Sequence, residues 1–99
     1  ISGSVGGLMD AADPDDEREV LAILDDEISR GAIRGHHKVR VRRSGPFRWV
    51  DMHIQVDPTL SVAEGHDIAS RIEGRIERTF GRANATAHVE PTEDAPPGA

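Results

Sequence analysis

The chain of 99 residues contains no cysteine and no tyrosine, and its only aromatic residues are one tryptophan and two phenylalanines. Without cysteine there is no disulfide framework, and any metal site must use nitrogen and oxygen ligands. Because large side chains are few, the core is small and a partner subunit would add useful burial. No run of about eighteen apolar residues is present, so no segment is expected to span a membrane, and no signal peptide is recognisable.

The chain also lacks an excess of basic residues. Lysine and arginine number 12 against 18 acidic residues, which gives a formal net charge of −6 at pH 7. Nucleic-acid binding requires a basic surface field, so no nucleic-acid partner is expected. The length is typical of one small domain. The missing cysteines agree with a reducing compartment such as the cytoplasm.

The two ends of the chain differ in composition from its middle. Residues 1–13 are small, glycine-rich and aperiodic, and we interpret them as a linker or a cloning remnant. Residues 92–99 belong to a proline-rich, acidic stretch and are expected to form a flexible tail. Residues 14–91 contain helical and strand patterns with short turns between them, which predicts one folded domain.

Two segments are predicted to be helices. The first has Asp13 as N-cap and Pro14 at its first position. Its apolar residues at helical spacing are Val20, Leu21, Leu24 and Ile28. The second begins at Ser61 and Glu64, which have the spacing of a capping box, and ends at Gly81. Its apolar residues are Val62, Ala69, Ile72, Ile76 and Phe80.

Three segments are predicted to be strands. Residues 38–43 and 47–56 flank the turn at 44–46 and should form a hairpin. In the second of them, alternation places on the core face Val50, Met52, Ile54 and Val56. It places on the other face Phe47, Trp49, Asp51, His53 and Gln55. A short last strand has Ala85, Ala87 and Val89 on one face, and His88 and Glu90 on the other.

The order helix, strand, strand, helix, strand predicts a two-layer α+β fold of the ferredoxin-like type. Both helices should cover the Val50 face of the sheet. The opposite face is then open and holds Asp51, His53, His88 and Glu90. An open face with such side chains is rarely left bare, so we expect a homodimer with Trp49 and Phe47 at its interface.

Histidine and carboxylate side chains occupy positions that one metal site would use. The open face supplies His53, His88, Asp51 and Glu90. His66 is on the second helix, which should cover the other face, so it reaches the site only from the sheet edge near the helix start or across a dimer. His37 faces the core by alternation with Val39, unless the strand begins after it. His36 is expected to be an ordinary surface residue.

The segment from His37 to Pro91 resembles the cytoplasmic C-terminal domain of the cation diffusion facilitator (CDF) metal transporters. Four motifs match in order and spacing: R-x-R-x-S-G at 40–45, D-x-H-I-x-V-D-P at 51–58, L-S-V-x-E-G-H at 60–66 and H-V-x-P at 88–91. The first helix fits less specifically, so the resemblance covers about residues 14–91.

The resemblance implies a small fold similar to that of copper chaperones, which forms V-shaped homodimers and binds divalent ions at the subunit interface. Ion binding would draw the two arms together and promote transport by the transmembrane domain of the same protein. The ligands of zinc exporters in the family correspond to His37, His53, His66 and His88. Glu90 stands where they have a bridging aspartate, and its side chain is longer by one methylene group. Trp49 and Asp51 correspond to a metal-binding pair of the magnetosome branch.

The ion and the function are not fixed by these residues. Nitrogen and oxygen ligands favour Zn²⁺ as the first choice, with Fe²⁺, Mn²⁺, Co²⁺, Ni²⁺ and Cu²⁺ as further candidates. The alternative to a metal-responsive domain is a metal-independent ferredoxin-like dimerisation module, including a stand-alone protein without a membrane part. An enzyme is not expected, because the chain has no nucleophile motif such as G-x-S-x-G. The domain of a transporter would lie on the cytoplasmic side of a bacterial membrane, and a stand-alone protein in the cytoplasm.

Overall fold

The computed structural model describes residues 12–92, so most of the predicted linker and the tail from residue 93 lie outside the described residues. The elements are α1 (Pro14–Ser29), β1 (Gly35–Ser44), β2 (Phe47–Val56), α2 (Val62–Phe80) and β3 (Ala83–Pro91). This order confirms the predicted αββαβ architecture. β2 has the predicted bounds, whereas β1 begins at Gly35 rather than at residue 38.

Both helices begin where the sequence predicts, because a side chain accepts hydrogen bonds from the free N–H groups of the first turn. Asp13 Oδ1 accepts from the N–H of Asp15 at 2.9 Å. Ser61 Oγ accepts from the N–H of Glu64 at 3.0 Å, and Glu64 Oε1 accepts from the N–H of Ser61 at 2.8 Å, which completes the capping box. α2 ends at Gly81, whose φ of 83° favours glycine.

The three strands form one sheet in the order β1-β2-β3. β1 pairs antiparallel with β2 across the turn at Gly45, and β3 pairs parallel with β2. A parallel neighbour needs a crossover connection, and α2 provides it. The central position of β2 explains why its apolar residues alternate so regularly, since one face of the strand is fully covered.

The core lies between the helices and one face of the sheet. Its fully buried large apolar side chains are Val20 and Leu24 of α1, Ile33 between α1 and β1, Met52 and Ile54 of β2, and Ile72 and Ile76 of α2. The predicted core face of β2 is therefore confirmed, and both helices cover it.

Two details of the predicted helix stripes were wrong. Val62 is 92% exposed, because it is the first residue of α2 and precedes the part of the helix that packs on the sheet. In α1, Ile23 is buried in place of Leu21, which lies partly exposed at the border of the stripe. The apolar stripe of α1 is thus rotated slightly relative to the prediction.

A buried carboxylate joins the two helices. Glu27 of α1 has no exposed surface, and Arg71 of α2 donates to both of its oxygens, at 2.7 and 3.0 Å. Arg75 donates to the same carboxylate at 2.7 Å. The hydrogen bond from Arg71 is the main reason that the pKa of Glu27 is held below its ordinary value, although burial opposes it. We name Glu27, Arg71 and Arg75 the ionic clamp.

Replacing Glu27 by alanine should lower the free energy of unfolding by about 2–4 kcal/mol, because two guanidinium groups lose their shared partner. Arg71 and Arg75 remain partly exposed, so water replaces the carboxylate in part. Urea denaturation at pH 7 measures the change, and Glu19→Ala on the exposed side of α1 is the control. A loss no larger than that of the control would contradict the assignment.

The same carboxylate makes a pH-dependent contribution. Its folded-state pKa is lowered, so the stabilisation is present above the ordinary value of 4.5 and is lost as the pH falls below it. The stability difference between the wild type and Glu27→Gln should therefore shrink on acidification.

Candidate metal centre

A bulge in β1 decides where His37 points. His37 lies opposite His53 of β2, but Arg40, three residues later, lies opposite Asp51, only two residues away on β2. Lys38, inside this interval, has a φ of 53°, in the left-handed region that residues other than glycine rarely adopt. β1 thus contains one residue more than its partner strand over this interval.

The extra residue reverses the alternation of side chains along β1. Val41 is buried in the core, and a regular strand would place His37, an even number of residues away, on the same face. The bulge instead brings His37 to the open face beside His53. The prediction that His37 faces the core by alternation with Val39 was therefore wrong.

One histidine from each strand now lies in a single row. His37 is opposite His53, and His53 is opposite His88. The ring centroids of His37 and His53 are 5.2 Å apart with an edge contact, and those of His53 and His88 are 4.7 Å apart with nearly parallel rings. The predicted open-face positions of His53 and His88 are confirmed.

Glu90 connects two of these histidines. Its Oε2 lies 3.0 Å from Nδ1 of His53, and its Oε1 contacts Nε2 of His37. One donor atom from each of these three residues lies within 4.8 Å of the others, and we name them the triad. The hydrogen bond with His53, followed by that with His37, holds the pKa of Glu90 below its ordinary value. Glu90 is therefore a carboxylate at neutral pH.

One distance within the triad is close to the spacing of two ligands on a divalent ion. Zinc binds imidazole nitrogen and carboxylate oxygen at about 2.0–2.2 Å, so two ligands of a tetrahedral ion are about 3.3 Å apart. The distance of 3.0 Å between His53 Nδ1 and Glu90 Oε2 is close to this value. An ion at this position would replace the hydrogens shared between the imidazoles and the carboxylate. Three protein ligands leave a tetrahedral ion one position for water or for another side chain.

Asp51 and His88 form a second pair beside the triad. His88 Nε2 lies 2.8 Å from Asp51 Oδ1, and both side chains are about half exposed. The ring of His88 stacks on His53, so the pair adjoins the triad directly. The structure therefore divides five of the six predicted ligands into two neighbouring groups.

His66 is the predicted ligand that lies apart from both groups. It is exposed near the start of α2, with Nε2 at 3.4 Å from Ser70 Oγ. Together with Val89 and Pro91 it lines a groove of about 380 Å³ at the edge of the sheet. This is the edge from which His66 was expected to reach a metal, by itself or across a dimer.

Phe47 and Trp49 lie at the hairpin end of the open face, with ring centroids 4.8 Å apart. Trp49 is 49% exposed. It lines, with Arg42 and Asp51, a depression of about 270 Å³. An indole exposed to this extent offers apolar area to a partner, and its interface role stays a prediction.

Sequence reasoning missed the bulge and the double contact of Glu90. A signal for the bulge exists, because a core valine at 41 and a ligand at 37 have the same parity and cannot both be correct in a regular strand. His36 was expected to be an ordinary surface residue, yet its Nε2 lies 3.1 Å from Asp25 Oδ1 on α1, away from the triad.

Fold and site together define the class of this domain. It is an α+β domain whose open sheet face bears a cluster of histidine and carboxylate side chains. The sequence profile of the family "cation efflux protein, cytoplasmic domain" matches residues 12–92. The chain belongs to this family. In the described part of the chain, no helix combines the length and the apolar character needed to cross a membrane.

Individual relatives agree with this assignment. The cation-efflux pump FieF of Pectobacterium atrosepticum is 37% identical over 93 residues, 94% of this chain and 30% of the relative. FieF of Serratia proteamaculans is 35% identical over 95 residues, 96% of this chain and 31% of the relative. The chain thus spans about 30% of the length of these curated relatives.

Solved structures confirm the fold. The zinc form of CzrB, a proposed zinc transporter, superimposes with a TM-score of 0.74 at 29% identity, covering 83% of this chain and 91% of that one. The metal-bound C-terminal domain of the CzcD transporter from Thermotoga maritima superimposes with a TM-score of 0.67 at 26% identity. The match covers 80% of this chain and 94% of that one.

Deleting Lys38 should leave His37 beside His53, because the deletion removes the extra residue of the bulge and restores regular pairing. A nuclear Overhauser effect between the two imidazoles should persist, and stability should not fall, since the left-handed residue is lost. The control is deletion of Arg42 in the regular part of β1, which should misplace one half of the strand. Loss of the imidazole contact in the Lys38 deletion would mean that β1 has no bulge.

Proposed function

We propose that this chain is the metal-responsive regulatory and dimerisation domain of a cation efflux transporter, at the cytoplasmic side of a bacterial membrane. Divalent metal binding at a subunit interface closes a V-shaped homodimer and promotes transport by the transmembrane domain of the same protein. The main support is the triad with its adjoining pair on an open sheet face, in a chain of the cation efflux family. Without a membrane part, the same domain would be a cytoplasmic metal-binding dimer.

The triad is the first metal position in this proposal. His37, His53 and Glu90 would hold the ion, and the adjoining pair Asp51 and His88 would hold a second or complete the first. His66 would join from the sheet edge or from the partner subunit. Zn²⁺ is the first choice because the ligands are imidazole and carboxylate and because CzrB has a zinc form. Fe²⁺, Mn²⁺, Co²⁺, Ni²⁺ and Cu²⁺ suit the same ligands.

Electrostatics supports closure on metal binding. Each chain has a formal charge of −6, and Asp51 and Glu90 add negative charge to the open face. Two such faces repel each other, and a divalent ion neutralises part of the charge. Metal shifts the population towards the closed dimer only as far as it binds that geometry more tightly, so ligands from both subunits are needed for a switch. Trp49 and Phe47 would add apolar area to the interface.

A second candidate is a dimerisation module that needs no metal. One observation favours it, because both carboxylates of the cluster already have imidazole partners, Glu90 with His37 and His53, and Asp51 with His88. Such a face is stable without an ion. Metal titration separates the two candidates.

Zinc should bind the metal-free chain with micromolar or better affinity in calorimetry at pH 8. His53→Ala and His88→Ala should each weaken binding roughly ten- to hundredfold, as expected for the loss of one good ligand. His36→Ala is the matched control, because this neighbouring histidine contacts Asp25 and should leave the affinity unchanged.

Acidification provides a second check on the same titration. An imidazole ordinarily titrates near pH 6.5, so protons should displace the ion steeply below about pH 6. Equal affinity at pH 8 and pH 5.5 would indicate oxygen ligands alone. Unchanged titrations for both His53→Ala and His88→Ala would support the metal-independent module instead.

Closure itself should appear as a narrower distribution of distances between the two subunits. Spin labels at Arg78→Cys, near the exposed end of α2, report this distance by pulsed dipolar spectroscopy. Saturating zinc should narrow the distribution in the wild-type background and not in Glu90→Ala. Sedimentation in EDTA should first show a dimer of the labelled chain, and a monomer would contradict the proposed assembly. Identical distributions with and without zinc would leave a binding site without a switch.

A further inference from the structure

The two edge strands of the sheet are protected in different ways. An edge strand presents unpaired backbone N–H groups that can pair with another chain, and proteins blunt such edges with bulges, prolines or basic side chains. β1 has the bulge at Lys38 and the basic residues Arg40, Arg42 and Arg43. β3 has a continuous register with β2, and residues 83–90 contain no proline, lysine or arginine.

Two glutamates of α2 occupy the outer edge of β3. Glu77 Oε2 accepts a hydrogen bond from the backbone N–H of Ala85 at 2.9 Å. Glu73 Oε2 accepts from the backbone N–H of Ala87 at 2.8 Å. These two N–H groups bond to α2 and not to β2, and they are among the groups that a further strand would use.

The match between the two elements is geometric. Four residues of a helix advance about 6 Å, and two residues of a strand advance about 6.6 Å. α2 and β3 run in opposite directions, so the carboxylates at 73 and 77 meet the N–H groups at 87 and 85 in turn. Both glutamates are half-buried, so the contacts are part of the packed structure and not loose surface pairs.

We propose that Glu73 and Glu77 close the edge of β3 against strand pairing with a second copy of this chain. Two copies of β3 in antiparallel contact would form a symmetric pair, and on one face of the strand the side chains at positions 83, 85 and 87 are small alanines. The carboxylates prevent this by occupying the N–H groups and by placing like charges along the contact. Self-association is thereby confined to the open face with the triad.

The test uses the double variant Glu73→Ala with Glu77→Ala in EDTA, so that no metal effect enters. At a chain concentration too low for self-association, amide hydrogen exchange at Ala85 and Ala87 should rise about tenfold or more, as expected when a hydrogen bond to a charged acceptor is lost. Sedimentation should show an additional self-associated species that the wild type lacks at the same concentration. An unchanged distribution of species, up to millimolar chain, would overturn the proposal.

Matched variants separate the causes. Glu19→Ala with Asp67→Ala removes two exposed carboxylates that make no hydrogen bond to β3 in the described structure, and it should not add the new species. Glu73→Gln with Glu77→Gln retains oxygen acceptors without charge and should give an intermediate degree of self-association.

If circular dichroism shows that the double alanine variant does not fold, the single variants Glu73→Ala and Glu77→Ala decide. Glu73→Ala should raise exchange only at Ala87, and Glu77→Ala only at Ala85. The new self-associated species in either variant supports the proposal, and absence of this species in both variants overturns it.

Discussion

The positions of the candidate metal ligands on the open face depend on the register of β2 with its two neighbours. A shift of one residue would turn a whole strand over and move its histidine to the core. The register is fixed by burial, because Val50, Met52 and Ile54 are buried in one core with apolar residues of both helices. It is fixed also by the connections, since the N–H of Arg48 at the start of β2 donates to the carbonyl of Arg82 just before β3, at 2.9 Å. The arrangement of the histidine and carboxylate cluster is thus a product of core packing on the opposite face of the same strand.

The elements with strong local signals could be predicted from the sequence. Alternation in β2 and the capping residues Asp13 and Ser61 act over short distances, and each has a direct structural counterpart. The bulge at Lys38 could not be read in this way. A lysine has no preference for the left-handed region, and its backbone adopts it only because the paired strand and the core demand it.

The division of the candidate ligands into a triad and a pair also could not be predicted from the sequence. His53 and His88 were predicted to share one face with Asp51 and Glu90, which is correct. Which carboxylate meets which imidazole depends on side-chain length and on the stacking of two rings, and no spacing rule contains that information. Glu90 has one methylene more than an aspartate, and it reaches from β3 across His53 to His37 on the far strand. The buried Glu27 was missed for a similar reason, because a charged residue within an apolar stripe is understood only when its partners on another helix are known.

The contacts of α1 have a mechanical consequence. Its first turn is tied to the hairpin, where Arg43 donates to Asp13 at 2.9 Å and Arg48 donates to Asp16 at 3.0 Å. Its last turns are tied to α2 by the ionic clamp. Because α1 is held at both ends, it should not hinge on its own domain, and a displacement of its first turn should move the sheet with it. The orientation of the open face should therefore follow the position of Asp13.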